Sequence, residues 1–212
     1  MKTVSTALGA EIVGDLVDII VSNRAYLSEV DGAIGDGDHG INMAKGFSIC
    51  GKSLEGKSMH LAEALDTLSE SLMEGIGGSM GPLYGSVFMG MADAVRDLEQ
   101  VDAANFGRML RGGLDSLQDI SDAKVGDKCL LDTLVPAVET YESALAEGSS
   151  FEDALAKMSN AAERGKESTK DMVAKIGRAS RLGERSRGVL DAGATSCALI
   201  LKQLGQSFEQ HL

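Results

Sequence analysis

Apolar residues recur at helical spacing along almost the whole chain, and this pattern narrows the fold more than any other feature. The first stripe is Ile12, Val13, Leu16, Ile20 and Leu27. A short helix is expected from about Gly40 to Cys50, and Leu61, Leu65, Leu68 and Leu72 mark a third. A fourth starts at Gly81-Pro82, where the missing proline N–H costs nothing. Phe106, Met109, Leu110, Gly113, Leu114 and Leu117 mark a fifth. Leu130, Leu131, Leu134, Val138, Tyr141 and Leu145 mark a sixth, with Pro136 in its first turns. Phe151, Leu155, Met158 and Ala162 mark a seventh, and Cys197, Leu201, Leu204 and Phe208 the last. No stretch alternates with the period of a strand, and two prolines in 212 residues also favour helices. The ten methionines read as packing residues. With no repeat, low-complexity tract or linker, residues 1–212 are expected to form one all-α domain.

Chemistry has to come from the breaks between stripes. The first, Asp31-Gly-Ala-Ile-Gly-Asp36-Gly-Asp38-His39-Gly40-Ile41-Asn42, puts three carboxylates within eight positions. At an effective dielectric near 20, two such charges about 4 Å apart repel by roughly 4 kcal/mol. Carboxylate oxygens are the ligands that hard cations prefer, and Mg²⁺ typically combines a few of them with substrate phosphates. The chain turns helical after His39, so His39 to Asn42 is a helix start whose free N–H groups suit a phosphate. A solvated acidic loop is the ordinary alternative. A calcium EF-hand is excluded, since the position of its bidentate Glu falls on Phe47 or Asn42.

Three further breaks carry glycine. Gly75-Ile-Gly77-Gly78-Ser79-Met80-Gly81-Pro82 has more glycines than a turn needs and leads into a helix. Val125-Gly126-Asp127-Lys128 reads as ordinary helix capping. Lys175 to Gly193 carries five positive and two negative residues, a local +3 in a chain with 20 basic and 32 acidic residues. Its arginines would suit phosphate oxygens, or pair with acidic neighbours on a solvated surface. His60 and His211 fall on a helix and at the C-terminus and are not expected to be ligands. Neither a P-loop nor a GxGxxG after a strand is present. A net charge of -12 argues against nucleic acid. Cys50, Cys129 and Cys197 are few and scattered, Glu11, Asp15 and Asp18 interrupt the N-terminal apolar run, and Gly75 to Ala92 holds six glycines and Pro82. A cytoplasmic protein with no membrane span or secretory signal is expected.

Five motifs in order carry a resemblance across the chain. They are Ile-Gly-Asp-Gly-Asp-His-Gly-Ile-Asn-Met (34–43), Gly-Gly-Ser-Met-Gly-Pro-Leu-Tyr-Gly (77–85), Gly-Asp-Lys-Cys-Leu-Leu-Asp (126–132), Gly-Arg-Ala-Ser-Arg-Leu-Gly-Glu-Arg-Ser (177–186) and Asp-Ala-Gly-Ala-Thr-Ser (191–196). Together they resemble the dihydroxyacetone kinase L-subunit family. The resemblance implies a single-domain eight-helix antiparallel barrel with a nucleotide site at one end. It implies that Asp31, Asp36 and Asp38 hold two Mg²⁺ ions on ADP or ATP, and that His39, Gly40, Ile41 and Asn42 touch the phosphates. Gly78, Ser79 and Met80 match the glycine-rich phosphate loop, and Leu130 a position lining the nucleotide. Arg178, Asp191 and Ala192 match the loop that closes over it, with Arg178 offsetting charge during transfer. The implied acceptor is a short ketose held by a partner K subunit. The implied donor is ATP, or bound ADP recharged by a phosphotransferase-system M subunit. Departures from the family pattern are Met80 for Ser or Thr, Cys129 for Thr, Arg181 for an aromatic, Val189 for His and Ala192 for Pro. A nucleotide-sensing regulatory homologue and a calcium-stabilised binding module are the alternatives at this stage.

Overall fold

The computed structural model describes residues 2–212. Its helices are α1 (Gly9–Ser22), α2 (Arg24–Gly32), α3 (His39–Leu54), α4 (Leu61–Gly75), α5 (Met80–Val95), α6 (Ala103–Gln118), α7 (Leu131–Ala146), α8 (Phe151–Ser168) and α9 (Ala192–Gln210). All eight expected helices are present. The first is broken in two, because at its end side chains compete for the backbone. Asn23 Nδ2 donates to the Ile19 carbonyl at 2.8 Å, and Ser22 Oγ to that of Asp18 at 2.7 Å. Such bonds favour a helix end over continuation. After the break α2 packs on α3 and α9, and Leu27 is still fully buried.

The long helices close into a ring. α1 packs on α3, each later helix packs on the next, and α9 returns to α1. Neighbours run antiparallel, with late residues of one helix beside early residues of the next. Ser69 of α4 donates to the Gly85 carbonyl of α5 at 2.8 Å, and Ser207 near the end of α9 donates to Asp15 of α1 at 2.6 Å. The predicted stripes line the interior: Ile12, Leu16, Leu65, Phe106, Val138, Met158 and Leu204 are all fully buried. Phe106 is the centre of an aromatic cluster, with its ring 4.6 Å from Phe208, 5.1 Å from Tyr141 and 5.6 Å from Phe151. At that same end Val4–Ser5 pairs antiparallel with Gln100–Val101. Two residues per strand are too few to show a period in the sequence. His60 sits just ahead of α4 as its cap, accepting from Ala62 N at 3.1 Å through Nδ1 and meeting the Leu98 carbonyl at 2.8 Å through Nε2.

Close approach of α5 and α6 depends on glycine. A Cβ at Gly90 would fall inside the Gly112 carbonyl and Ser116 Oγ, whereas a Cβ at Gly14 on α1 meets nothing within 4 Å. Gly90→Ala is expected to destabilise by about 1–3 kcal/mol through overpacking. Gly14→Ala is expected to stabilise by up to about 1 kcal/mol through helix propensity. Denaturant melts of the two variants check this pair, and equal effects would contradict the packing.

Candidate functional site

Antiparallel alternation brings the starts of α3, α5, α7 and α9 to one end, together with the connections 33–38, 76–79, 119–130 and 169–191. Every break singled out in the sequence therefore lies at the same end. Helix starts present unpaired N–H groups and a positive dipole end. At the opposite end His60, Asp102 and Ser150 cap α4, α6 and α8 with side-chain acceptors. At the site end α3, α5 and α7 have no side-chain cap. At α7 the first turn closes on itself, Asp132 N donating to the Cys129 carbonyl at 3.0 Å and Thr133 N to that of Leu130 at 3.1 Å, and at α3 His39 N donates to Asp31 at 3.3 Å. The N–H groups left for an anion are those of Gly40 and Ile41 on α3 and of Met80 and Gly81 on α5.

The carboxylates lie at the mouth. Asp31 is in the last turn of α2, and its carbonyl accepts from Ile34 N at 3.1 Å and Gly35 N at 2.5 Å, which turns the chain back. Gly37 at φ 78° completes the reversal, a conformation L side chains avoid. One carboxylate oxygen each from Asp31, Asp36 and Asp38 lies within 4.8 Å of the others. Their cationic partner is Arg178, which pairs with Asp36 and lies 3.9 Å from Asp38. Arg178 comes from a 3-10 segment, Arg178–Ser186, inside the basic loop.

Behind the carboxylates a polar network ties helix starts together. His39 is buried, and its Nε2 shares a 2.9 Å hydrogen bond with Ser196 Oγ. Ser196 is 2.6 Å from the Tyr84 hydroxyl, which donates to the Gly193 carbonyl at 3.0 Å. Burial pulls the His39 imidazole down to about 4 against the opposing pull of Asp31, so the ring is neutral at pH 7. Gly40 is packed so that a Cβ would run into the Arg24 carbonyl and Ser28 N, which seats α3 on α2. Ile41 remains 47% exposed at the mouth, and Asn42 N donates to the Asp38 carbonyl at 2.9 Å as an ordinary helix bond.

The other expected residues divide. Gly78 (φ 74°) and Ser79 are exposed ahead of α5, with Met80 partly buried against the core. Leu130 is buried at the start of α7, and a Cβ on Gly193 would lie 3.6 Å from it. Asp191 is the last residue of the loop and Ala192 is already in α9. Asp191 caps α9 through Ala194 N at 2.7 Å, its own N–H donates to Thr169 Oγ1 at 3.0 Å, and Ala192 is buried in the first turn. Three residues went unread in the sequence. Tyr84 and Ser196 belong to the network above; their signal was only their place inside quoted motifs. Lys128 is fully buried beneath the basic loop, where Gly-Asp-Lys had suggested nothing beyond capping.

The DAK2 domain pattern matches residues 33–206. The chain belongs to the DAK2 domain family. This DAK2 chain is 37% identical over 194 residues to the PEP-dependent dihydroxyacetone kinase 1, ADP-binding subunit DhaL, of Listeria innocua, covering 91% of this chain and 92% of that one. It is 37% identical over 205 residues to the PTS-dependent dihydroxyacetone kinase, ADP-binding subunit DhaL, of Lactococcus lactis, covering 96% and 97%. Among solved structures, the dihydroxyacetone kinase of C. freundii in its native form matches with a TM-score of 0.72 and 26% identity. That match covers 95% of this DAK2 chain and 34% of the longer enzyme, so the chain spans about a third of that protein. The all-α fold expected from the stripes is thereby shown.

Burial pushes the Asp191 carboxyl up from 3.8 to about 6, with Asp132 adding to the rise and the Ala194 N–H and Lys128 opposing it. A folded-state value above the unfolded one stabilises fully below about pH 4, and that contribution is lost as the pH rises through 6. At 1.36 kcal/mol per unit the loss is at most about 3 kcal/mol. His39, shifted the other way, loses its contribution as the pH falls from 6.5 toward 4, so the two slopes oppose. The readout is therefore the difference between wild type and Asp191→Asn, which keeps a capping oxygen. That difference should move in favour of the variant between pH 4.5 and 7.5 in denaturant melts. A difference independent of pH would contradict it.

Proposed function

We propose that this chain is the nucleotide-binding subunit of a short-ketose kinase of the dihydroxyacetone kinase type. It would hold Mg²⁺–ADP or Mg²⁺–ATP at the site end and pass a phosphoryl group to a ketose on a K-type partner subunit. The carrying observation is three carboxylates within 4.8 Å of one another at the end where α3 and α5 start with free N–H groups. Oxygen-only donors suit a hard cation such as Mg²⁺, and the helix starts suit the phosphates that accompany it. The names of the Listeria and Lactococcus relatives, each an ADP-binding subunit, support the same reading. Their PEP- and PTS-dependence favours bound ADP recharged by a phosphocarrier, an M subunit, over free ATP.

In this reading Asp31, Asp36 and Asp38 hold the metal, and three acceptor-only carboxylates have oxygens enough for two ions. Mg²⁺, when bound, would neutralise the phosphate charge. Gly78, Ser79 and the first N–H groups of α3 and α5 orient the phosphates, and Ile41, Met80 and Leu130 offer apolar surface nearby. Arg178 is 63% exposed and free to turn from Asp36 to a phosphate oxygen, offsetting charge as transfer proceeds. His39 is enclosed behind the carboxylates, so the ketose needs the partner's groups. Asp191 and Ala192 act beneath the site by setting the start of α9. The same proposal takes residues 1–212 as one domain around a continuous core, and places it in the cytoplasm. No helix among the described residues is long and apolar enough to cross a membrane.

Calorimetric titration of ADP with and without Mg²⁺ tests the reading. Binding is expected to require Mg²⁺, and Asp36→Asn to weaken it at least about tenfold, worth 1.4 kcal/mol. Without ligand, Asp36→Asn should leave stability within about 1 kcal/mol, because the Asp36–Arg178 pair is exposed. ADP binding equally well without Mg²⁺ or in Asp36→Asn would overturn the site. With a K-type partner present, Arg178→Lys should lower kcat by about 10²–10³ while nucleotide affinity falls less, since only arginine offers the planar fork. An unchanged kcat would remove Arg178 from the transfer step.

A further inference from the structure

Beneath the basic loop lies a cation that the nucleotide reading leaves unused. Lys128 is 2% exposed and stands at φ 64°, the left-handed region, where among the described residues the other positive φ values fall on glycines. Its Nζ donates to the carbonyls of Ser186 at 2.6 Å, Val189 at 2.7 Å and Met172 at 3.3 Å. Those three acceptors match the three protons of an ammonium. Burying a charge is costly unless hydrogen bonds offset it, so these carbonyls and the ammonium hold each other in place. The backbone around Lys128 is fixed as well. Asp132 accepts from Gly126 N at 2.5 Å and Cys129 N at 2.7 Å, and the Asp127 carbonyl accepts from Lys175 N at 3.1 Å.

The carbonyls bound by Lys128 lie on both feet of the basic loop. Met172 is on the inbound foot, Ser186 and Val189 on the outbound one. Ser186 Oγ also crosses between the feet, accepting from Ala174 N at 2.9 Å. Between them the span 176–185 is exposed or half-buried, turns at Gly177 (φ 67°) and Gly183 (φ 54°), and carries Arg178. We propose that Lys128 is a positioning residue for Arg178. By fixing both feet from below it sets the span at the height that delivers the guanidinium to Asp36 and Asp38, and so acts on nucleotide binding without touching the ligand. The consequence for binding rests on the nucleotide reading above; the anchoring does not.

Lys128→Met keeps length and removes charge and donors. In the nucleotide-free full chain, backbone hydrogen exchange should quicken about tenfold or more across 172–190, with α1, α4 and α6 unchanged. Unchanged exchange across 172–190 overturns the proposal, as does equal loosening of every helix. Should Lys128→Met fail to fold, Lys128→Gln replaces it and is judged the same way. Mg²⁺–ADP affinity is then measured for wild type, Lys128→Met, Arg178→Gln and the double variant. Each single change should cost about tenfold and the double little more than Arg178→Gln alone, because the lysine acts through the arginine. Independent losses multiplying to about a hundredfold would mean a merely structural lysine and would overturn the positioning role. If wild type does not bind Mg²⁺–ADP, the nucleotide reading falls, and the exchange comparison still decides whether Lys128 holds the loop.

Discussion

Eight helices closed into an antiparallel ring must begin alternately at one end and the other. This geometric constraint divides the molecule into two unlike ends. At one, α4, α6 and α8 start under side-chain caps, and Phe106, Tyr141, Phe151 and Phe208 pack into an aromatic cluster. Each cap is typically worth about 1 kcal/mol, so that end is built for stability. At the other, α3, α5 and α7 start without caps, and the glycine-bearing connections gather around them. The first turn of α7 bonds back onto Cys129 and Leu130, but α3 and α5 leave donors free, which is the arrangement an anionic ligand exploits.

Charge follows the same division. Three carboxylates crowd the open end of a chain whose net charge is already -12. Among the described residues, the counter-charge paired with them is the Arg178 guanidinium on an exposed loop. Exposed ion pairs are worth about 1 kcal/mol or less, so this one holds the loop over the carboxylates at little cost to release. A buried pair would resist exchange for several kcal/mol. Shallow placement of Arg178 is therefore what allows one side chain to pair with Asp36 and, in the proposed reaction, to turn toward phosphate. The depth is set from beneath, where Lys128 fills the space between the feet of the loop.

What was legible in the sequence was what local pattern decides. Helical stripes gave the buried faces, because burial of one side of a helix repeats every three or four residues. The carboxylates were legible because the three lie within eight positions and needed only a turn to converge. The break at Asn23 was not, since side-chain bonds to Ile19 and Asp18 leave the apolar period intact. The resemblance put Asp191 in the loop that closes over the nucleotide, whereas its carboxylate is committed to the start of α9, a bond formed only once the loop has met the helix. Lys128 was the least legible. The acceptors of its ammonium lie 44 to 61 residues away, and nothing near it in the chain announces them.

The network behind the carboxylates bears on why the proposed function calls for a partner. His39 is next to Asp38 in sequence, where a surface histidine could accept a proton or a phosphoryl group. The fold turns its ring inward instead, onto Ser196 and through it to Tyr84 and the start of α9. A ring held that way locks α3 and α5 to α9 and keeps the mouth of the site in shape. It cannot at the same time reach outward as a nucleophile. The outward-facing groups at this end include the carboxylates, helix starts, Ser79, Arg178 with the other basic residues of its loop, and apolar surface such as Ile41. Those groups suit holding and neutralising a nucleotide, and in the proposed function the carboxylates would be committed to the metal rather than free to take the proton of an attacking hydroxyl. In the proposed function, a transfer that starts here would therefore finish on groups supplied from outside the chain.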